Sequence, residues 1–296
     1  MLKRTITGLV ILILTAVCIA LRLVSPLFFD AFVLVLIYGS LIEFYLAFKV
    51  ADKRFYLLPL ILLPIGSWAS FRYFYNPLIL VLCGAIIVLL YSACAELIEN
   101  AKLRKNSNNI SENDIKQRLF YKTQTTMNVC VYPVITLSLL FGLNYFGQTI
   151  GFIAIILLFA VTMFTDVFAY VFGVWLGKNR TKLTPEISPK KSVVGTIFGF
   201  LGGIVSAGLC YLLFYHLNLL GEFNIPVSKA IILFSMIGVF GSLATQIGDL
   251  IASAFKRRVG IKDFGSIFPG HGGFTDRVDG LMIAGVLVYC MFSVLI

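Results

Sequence analysis

Residues 149–173 read "TIGFIAIILLFAVTMFTDVFAYVFG" and indicate what kind of protein this chain is. A helix that crosses a bilayer needs about 20 largely apolar residues, and this stretch contains a single charged residue, Asp166. The chain as a whole is also apolar, because its 296 residues are 59% hydrophobic and 13% charged, with a mean hydropathy of +0.95. Soluble domains carry about 25% charged residues. The sequence therefore predicts an all-α fold, a polytopic integral membrane helical bundle.

About nine segments are apolar enough to be transmembrane helices. They are 5–24, 28–48, 55–75, 77–97, 126–146, 149–173, 194–216, 229–252 and 279–296. Positively charged loops stay on the cytoplasmic side of a membrane, which predicts the orientation. With a cytoplasmic N-terminus, the inner segments hold every lysine and arginine except Arg22, Arg72 and Lys229. An odd number of spans then places the C-terminus outside.

The chain is predicted to divide into two regions. Residues 1–125 hold four spans and a polar cytoplasmic connector at 102–122, and the spans carry little chemistry beyond Asp30 and Glu43. Residues 126–296 hold five spans, and here polar residues lie at the span ends beside loops rich in Lys, Pro and Gly. We therefore expect the catalytic region in 126–296 and an active site on the cytoplasmic side.

The net charge of +10 raises the question of a nucleic-acid partner. Because the basic residues follow the predicted topology, we assign them to orientation and to attraction between the chain and anionic membrane lipids. No nucleic acid is expected. The six cysteines all fall within predicted spans without metal-binding spacing, and are interpreted as small apolar residues.

The first polar cluster begins inside the span quoted above. Asp166, Tyr170, Gly173 and Gly177 follow one another at helical spacing and share one face. An ionisable side chain within a span is costly unless it has a partner or a function. Two interpretations stay open, a functional carboxylate or a structural partner for an inner lysine. The loop that follows contains Lys178, Arg180, Lys182, Lys190 and Lys191.

The second cluster is "TQIGDLIASAFKRR", residues 245–258. Asp249, Ser253 and then Lys256 or Arg257 lie along one face of a helix. A carboxylate one turn from a hydroxyl and two turns from a basic pair suits a phosphate that is bridged by a hard cation.

A glycine-rich segment at 195–208 has Gly195, Gly199 and Gly203 at every fourth position, and this spacing predicts close helix packing.

The third cluster spans residues 253–280. Lys262 and Asp263 precede "PGHGG" at 269–273, whose small residues let backbone amides approach an anion. Asp276 and Asp279 then lie on one face of the helix that opens the last span, with Arg277 between them. A loop that served orientation alone would need neither the acids nor the glycines. With no GxxxxGK[ST], HExxH or CxxC motif in the chain, the clusters predict phosphate chemistry at the inner interface.

Residues 253–279 resemble the signature of the phosphatidate cytidylyltransferases, or CDP-diacylglycerol synthases. That pattern runs Ser, two residues, Lys-Arg, four residues, Lys-Asp, Pro-x-His-Gly-Gly and Asp-Arg-x-Asp. The matching positions are Ser253, Lys256, Arg257, Lys262, Asp263, the loop 269–273, Asp276, Arg277 and Asp279. The stretch around Asp166 and the Ser-Pro-Lys-Lys segment at 188–191 are similar to further family motifs. One departure is that Ser192-Val193-Val194-Gly195 stands where the family commonly has Thr-Trp-Glu-Gly, which puts the role of that glutamate in doubt.

The resemblance implies transfer of a cytidylyl group from CTP to phosphatidic acid, giving CDP-diacylglycerol and pyrophosphate for phospholipid synthesis. It implies Mg²⁺ as the cofactor, leaves open a second, monovalent cation, and allows a homodimer in the cell membrane. The expected metal ligands are Asp249 and Asp276, followed by Asp279, with Asp263 and Asp166 as further choices. The expected catalytic residues are Asp249, Asp276, Lys256, Arg257, Lys262 and Arg277. Those expected to bind substrate are Lys190, Lys191, Ser253, His271, Gly272, Gly273 and Asp166.

Two alternatives stay open from the sequence. A CTP-dependent kinase of a polyprenol-type lipid would also need inner carboxylates, lysines and Mg²⁺, but it would release CDP instead of pyrophosphate. An ion-coupled transporter would place acids along a path through the bilayer, whereas the polar residues here cluster at one interface.

Overall fold

A computed structural model of the chain describes residues 2–48, 53–73, 132–177, 181–223, 226–268, 270 and 272–295, with isolated positions between 84 and 101. Side chains at 2–5, 53–61, 190, 222–223 and 295 are not part of the description. The predicted connector at 102–122, most of the predicted span 77–97, and His271 lie outside these residues.

The described chain is mostly helical. Its elements are α1 (Leu2–Leu21), α2 (Pro26–Ala47), α3 (Lys53–Tyr73), α4 (Tyr132–Asn144), α5 (Gln148–Trp175), β1 (Lys182–Thr184), β2 (Ser188–Ser192), α6 (Val193–His216), a 3-10 turn (Leu219–Phe223), α7 (Val227–Met236), a π-helical turn (Ile237–Gly241), α8 (Ser242–Arg258) and α9 (Thr275–Leu295).

Five of these helical segments are long and apolar enough to cross a membrane. They are Pro26–Ala47, Gln148–Trp175, Val193–His216, Val227–Arg258 and Thr275–Val294. This finding confirms the prediction of a helical membrane protein, while the count of nine spans and the orientation of the termini stay predictions. The last helix begins at Thr275, four residues before the predicted start of the span, so Asp276, Arg277 and Asp279 lie in its opening turns.

The all-α prediction needs one correction, an antiparallel hairpin of β1 and β2. Two prolines explain why this segment is extended. Pro185 and Pro189 disfavour helical backbone at the preceding residues, Thr184 and Ser188, and these two residues pair with each other in the hairpin. The hairpin lies between two long helices, and it carries the Ser-Pro-Lys-Lys segment.

Helices α5 and α6 pack closely through the predicted glycine stripe. A Cβ atom on Gly199 would lie 2.9 Å from the Cβ of Ala169 and 2.9 Å from the carbonyl oxygen of Thr165. Gly195 similarly faces the backbone of Gly173. The packing interpretation of the stripe is therefore confirmed, and it brings the end of α5 that carries Asp166 against the start of α6.

Helices α8 and α9 cross at a second pair of glycines. A Cβ atom on Gly248 would lie 3.0 Å from the Cα of Gly280, so a larger residue would push the two helices apart. Asp249 follows Gly248 in α8, and Asp279 precedes Gly280 in α9. The close crossing therefore makes neighbours of two acidic residues that lie on different helices.

Helix α8 ends in a hydrogen-bonded reversal that turns the chain back towards this crossing. The amide of Ile261 donates to the carbonyl of Lys256 at 2.9 Å, and the amide of Gly260 donates to that of Arg257 at 3.1 Å. This is the Schellman pattern, which needs a left-handed residue, and Gly260 has a φ of 73°. The loop that connects α8 to α9 starts from this turn.

A polar network joins the helices at the other end of the bundle. Arg22 is 2% exposed and donates to the side chain and the carbonyl of Asn144. Asp30 accepts hydrogen bonds from Asn144, Trp68 and Tyr145. The network ties α2 and α3 to the turn between α4 and α5.

Candidate active site

A cavity of about 1140 Å³ opens where four helix ends and the hairpin meet. Its walls come from the end of α5, from β2 and the start of α6, from the second half of α8, and from the start of α9. The charged residues that line it are Asp166, Lys182, Lys191, Asp249, Lys256, Asp263, Asp276, Arg277 and Asp279. The three polar clusters of the sequence are thus brought together in one cavity.

Lys191 reaches the cavity because β2 leads directly into α6. The hydroxyl of Ser192 caps α6 by accepting from the amide of Gly195 at 3.1 Å. Lys191, one residue earlier, places its Nζ 2.9 Å from Oδ2 of Asp249 on α8. Both side chains are partly exposed to the cavity, so the pair can separate when a ligand competes for either partner.

Asp249 also has an acidic neighbour. The carboxyl group of Asp279 lies close to that of Asp249, and Asp166 lines the same cavity. Two carboxylates this close repel each other unless a proton or a cation lies between them. Lys191 compensates for part of this negative charge. The remaining negative charge would favour the binding of another cation.

Asp276 is held differently from Asp249. Its Oδ1 lies 2.8 Å from the Nζ of Lys256, and its Oδ2 accepts from the amides of Phe264 at 2.8 Å and Gly273 at 3.0 Å. The side chain is 4% exposed, and that of Lys256 is 12% exposed. Asp276 therefore fixes both a lysine and the loop before α9, and its two oxygens are already engaged.

Glu43 is a functional candidate that the sequence analysis did not assign. It lies on α2 and is 3% exposed, and its carboxylate accepts from the amides of Phe274 and Thr275, each at 2.8 Å. Thr275 is the first residue of α9. The available signal was an acidic residue inside a predicted span, which has to find partners when it is buried.

Arg257 does not line the cavity, although it was expected to be catalytic. Its Nε donates to the carbonyl of Ile187 at 3.2 Å, and its Nη1 donates to that of Ile261 at 3.2 Å. The guanidinium group thus holds the turn of the hairpin against the end of α8. Helical periodicity allowed either Lys256 or Arg257 to follow Asp249, and the structure directs Lys256 to the site.

The remaining predicted residues divide between the cavity and its surroundings. Ser253 and Arg277 line the cavity, whereas Lys262 is exposed outside it. Gly272 and Gly273 lie behind the wall, where Gly272 packs on Asp276 and Gly273 packs on Glu43. The side chain of Lys190 is outside the described part of the chain, as is the whole of His271.

Three further cavity residues were not predicted as site residues. Lys182 comes from β1, and Thr196 and Gln246 come from facing helices. The Nε2 of Gln246 donates to the carbonyl of Thr196 at 3.3 Å, which joins α8 to α6 beside Asp249. Lys182 belongs to the basic loop noted in the sequence, but only its pairing in the hairpin directs it to the cavity.

The acidic residues would suit a magnesium ion that is bound partly by carboxylates and partly by the phosphates of a substrate. Carboxylate oxygens are the ligands that Mg²⁺ prefers, and Asp249 and Asp279 present them side by side. Among the described residues, no three Asp, Glu, His or Cys side chains converge closely enough to enclose a metal. Mg²⁺ usually keeps waters and binds through one or two carboxylates plus substrate phosphates, so an open pair suits it.

The sequence of the chain is similar to those of known proteins. The profile of the cytidylyltransferase family matches residues 2–295. The phosphatidate cytidylyltransferase of Staphylococcus saprophyticus is 37% identical over 153 residues, which are 52% of this chain and 54% of that protein. That of Brucella abortus is 38% identical over 162 residues, 53% of this chain and 52% of the relative. That of Staphylococcus epidermidis is 41% identical over 143 residues, 48% of this chain and 50% of the relative.

In each of these pairs, the matched segment spans about half the length of the curated relative. The family profile, in contrast, covers nearly every residue, including the helices that carry Glu43, Asp166, Asp249 and Asp276. A match of that extent assigns the chain as a whole. The chain belongs to the cytidylyltransferase family.

Proposed function

We propose that the chain transfers a cytidylyl group from CTP to phosphatidic acid and forms CDP-diacylglycerol and pyrophosphate. The observation that carries this proposal is the cavity in which Asp166, Asp249 and Asp279 face Lys191, Lys256 and Arg277. A polyphosphate needs several fixed cations, and a metal that bridges phosphates needs carboxylates. The cavity lies at the ends of helices that are long and apolar enough to cross a membrane, a position that would put it within reach of a lipid phosphate. Relatives named phosphatidate cytidylyltransferase support the same substrates.

The reaction is a displacement at the α-phosphorus of CTP. A phosphate oxygen of phosphatidic acid forms the new bond, the bond from the α-phosphorus to the bridging oxygen of the β-phosphate breaks, and pyrophosphate leaves with that electron pair. The attacking phosphate is ionised near neutral pH, so it needs no strong general base. Catalysis of this kind consists mainly of positioning and of neutralising negative charge.

The basic side chains of the cavity supply that neutralisation. Lys191 and Lys256 are held in place by carboxylates, and Arg277 lies at the start of α9 on the same wall. We assign these three groups to the phosphates of CTP and of the lipid. Lys182 extends the basic wall from the hairpin and becomes a fourth candidate.

Mg²⁺ would be held by Asp249 and Asp279, with Asp166 facing the same space. When bound, the ion would supply charge neutralisation to the phosphate groups. Asp276 was expected to be a metal ligand, but its two oxygens are engaged by Lys256 and by two amides. We therefore assign Asp276 to holding Lys256, and a second, monovalent cation remains a prediction.

The arrangement in the membrane belongs to the same proposal. Nine spans, a cytoplasmic N-terminus and an active site on the cytoplasmic face of the cell membrane fit the positions of the basic residues. CTP would then enter from the cytoplasm, and the lipid from the inner leaflet. The homodimer that the resemblance allows also remains a prediction.

The test uses the purified full chain in vesicles that contain phosphatidic acid, with Mg²⁺ and CTP labelled on its α-phosphate. We expect release of pyrophosphate and transfer of the label to the lipid. Release of labelled CDP, with no label on the lipid, would overturn the proposal in favour of a lipid kinase. Ion flux in the same vesicles, indifferent to CTP and without nucleotide turnover, would overturn it in favour of a transporter.

A further inference from the structure

We propose that Glu43 is a positioning residue of the active site, although it lies in the N-terminal region. Its carboxylate would hold the loop before α9 so that Asp276, Arg277 and Asp279 face the cavity. The inference rests on the proposed function and extends it, because it adds a part of the site that neither the clusters nor the cavity wall contains.

The hydrogen bonds connect Glu43 directly to the start of α9. Oε1 accepts from the amide of Phe274, and Oε2 accepts from the amide of Thr275, both at 2.8 Å. The first amides of a helix have no partner within the helix and need an acceptor from elsewhere. Here the acceptor comes from a residue 231 positions earlier in the chain. Asp276 is the next residue, so fixing Thr275 also fixes the backbone that carries Asp276.

The same short segment is held from its other side by Asp276. The Oδ2 of Asp276 accepts from the amide of Gly273 at 3.0 Å, while Glu43 accepts from the two amides that follow. Three consecutive amides are thus bound by two carboxylates. Asp279 lies one helical turn beyond Asp276, so any displacement of this segment changes the positions of both acids relative to Asp249.

Packing around Glu43 leaves the loop little room to move. Gly265 and Gly273 lie so close to its carboxylate that a Cβ atom on either would overlap it. One residue later on α2, the ring of Phe44 stacks on that of Phe264 with 4.6 Å between the ring centroids. One turn earlier, Gly39 lies under the ring of Phe274. Helix α2 therefore forms the surface on which the loop lies.

Charge explains why a carboxylate suits this position. The N-terminus of a helix carries a partial positive charge, and a buried carboxylate there accepts hydrogen bonds without a basic partner. A glutamine of nearly the same size would keep one acceptor and direct an NH₂ donor at an amide donor. Glu43→Gln therefore removes one of the two hydrogen bonds and the negative charge, and preserves the volume.

Asp30 offers a matched control on the same helix. It is 2% exposed, compared with 3% for Glu43, and it also accepts hydrogen bonds from neighbouring elements. The two acids are thirteen positions apart, which corresponds to about 20 Å along a helix, so Asp30 lies far from the cavity. Asp30→Asn should weaken the bundle without changing how the site binds its ligands.

The experiment compares the wild-type chain, Glu43→Gln and Asp30→Asn in vesicles, and measures KM for CTP and the Mg²⁺ concentration that gives half-maximal turnover. Partial unfolding lowers the amount of active protein, which lowers apparent kcat and leaves both other constants unchanged. We expect Glu43→Gln to raise KM and the Mg²⁺ requirement by about tenfold, the scale of a lost hydrogen bond to a charged group. Asp30→Asn should leave both within about twofold of the wild type.

Hydrogen exchange provides a readout that does not depend on turnover. In Glu43→Gln, the amides of Phe274 and Thr275 should exchange about tenfold faster or more, while the amides of α5 and α6 keep their rates. Gly273→Ala gives the same test by another route, because its methyl group would push the loop away from Glu43.

The outcomes separate the two proposals. If the wild type fails to make CDP-diacylglycerol while Glu43→Gln still releases the two amides, the proposed function fails and the hold on the loop stands. If the wild type is active and Glu43→Gln keeps wild-type KM, Mg²⁺ requirement and exchange rates, the positioning role is overturned. Equal changes in KM for Glu43→Gln and Asp30→Asn would also overturn it, because the effect would then be general destabilisation.

Discussion

Lys191 and Asp249 form an ion pair across the cavity, with 2.9 Å between Nζ and Oδ2. The two residues are 58 positions apart in the chain, and they lie on a strand and on a helix. Each is a group that the proposed reaction needs for something else, the lysine for a phosphate and the carboxylate for a metal. The pair keeps both groups in place while their charges offset each other. Substrate binding would then exchange one set of partners for another.

The pair predicts that single and double replacements will not add. Asp249→Asn should lower pyrophosphate release by about 100-fold or more, because it removes a carboxylate that the reaction needs to stabilise charge. Lys191→Met should raise KM for CTP by about tenfold. In the double variant, the loss of kcat/KM should be smaller than the product of the losses in the two single variants, since the two residues interact with each other. Wild-type turnover in Asp249→Asn, with the protein inserted normally, would contradict the site assignment.

Asp276 and Asp279 should differ in what their loss does to stability. Asp276→Asn breaks a buried pair with Lys256 and weakens two hydrogen bonds, so we expect the free energy of unfolding to fall by about 3 kcal/mol together with turnover. Asp279→Asn removes one of two neighbouring carboxylates, so stability should be kept or raised while turnover is lost. Thermal unfolding in detergent and pyrophosphate release measure the two effects. Equal destabilisation by both changes would refute this distinction.

Arg257 provides a test of the structure against the sequence pattern. Because its guanidinium group contacts two backbone carbonyls outside the cavity, Arg257→Ala should lower kcat/KM by less than about tenfold. Lys256→Ala should lower it by about 100-fold, since it removes a cation from the site and leaves Asp276 buried without its partner. Steady-state kinetics on the two neighbouring variants settle the order, and a larger loss at Arg257 would favour the sequence-based assignment.

Metal and nucleotide should bind cooperatively. Lys191 would compete with a metal for Asp249, and the phosphates of CTP would offer the lysine another partner. We therefore expect a chelator to abolish pyrophosphate release, added Mg²⁺ to restore it, and the affinity for Mg²⁺ to rise by about fivefold or more when CTP is present. Titration calorimetry with and without CTP measures the coupling. Equal Mg²⁺ affinity under both conditions would exclude it.

Several features of the site could be predicted from the sequence because they depend on short distances along the chain. The spacing of Asp249, Ser253 and Lys256 places them on one face of a helix, and all three line the cavity. Asp166 could likewise be singled out, because a charge within an apolar run needs a partner or a function. The choice between Lys256 and Arg257 could not be made in this way, since both positions are compatible with one helical face.

The sequence by itself determined that the chain is a helical membrane protein, and which local segments carry acids, lysines and glycines. Apolar length and helical periodicity are properties of contiguous residues, so no tertiary information is needed for them. Only the tertiary structure decided that Asp279 lies beside Asp249, through the crossing at Gly248 and Gly280, and that Glu43 holds the start of α9. The physical reason is that a helical pattern specifies which side chains share a face, whereas the partner of that face depends on how distant helices pack together.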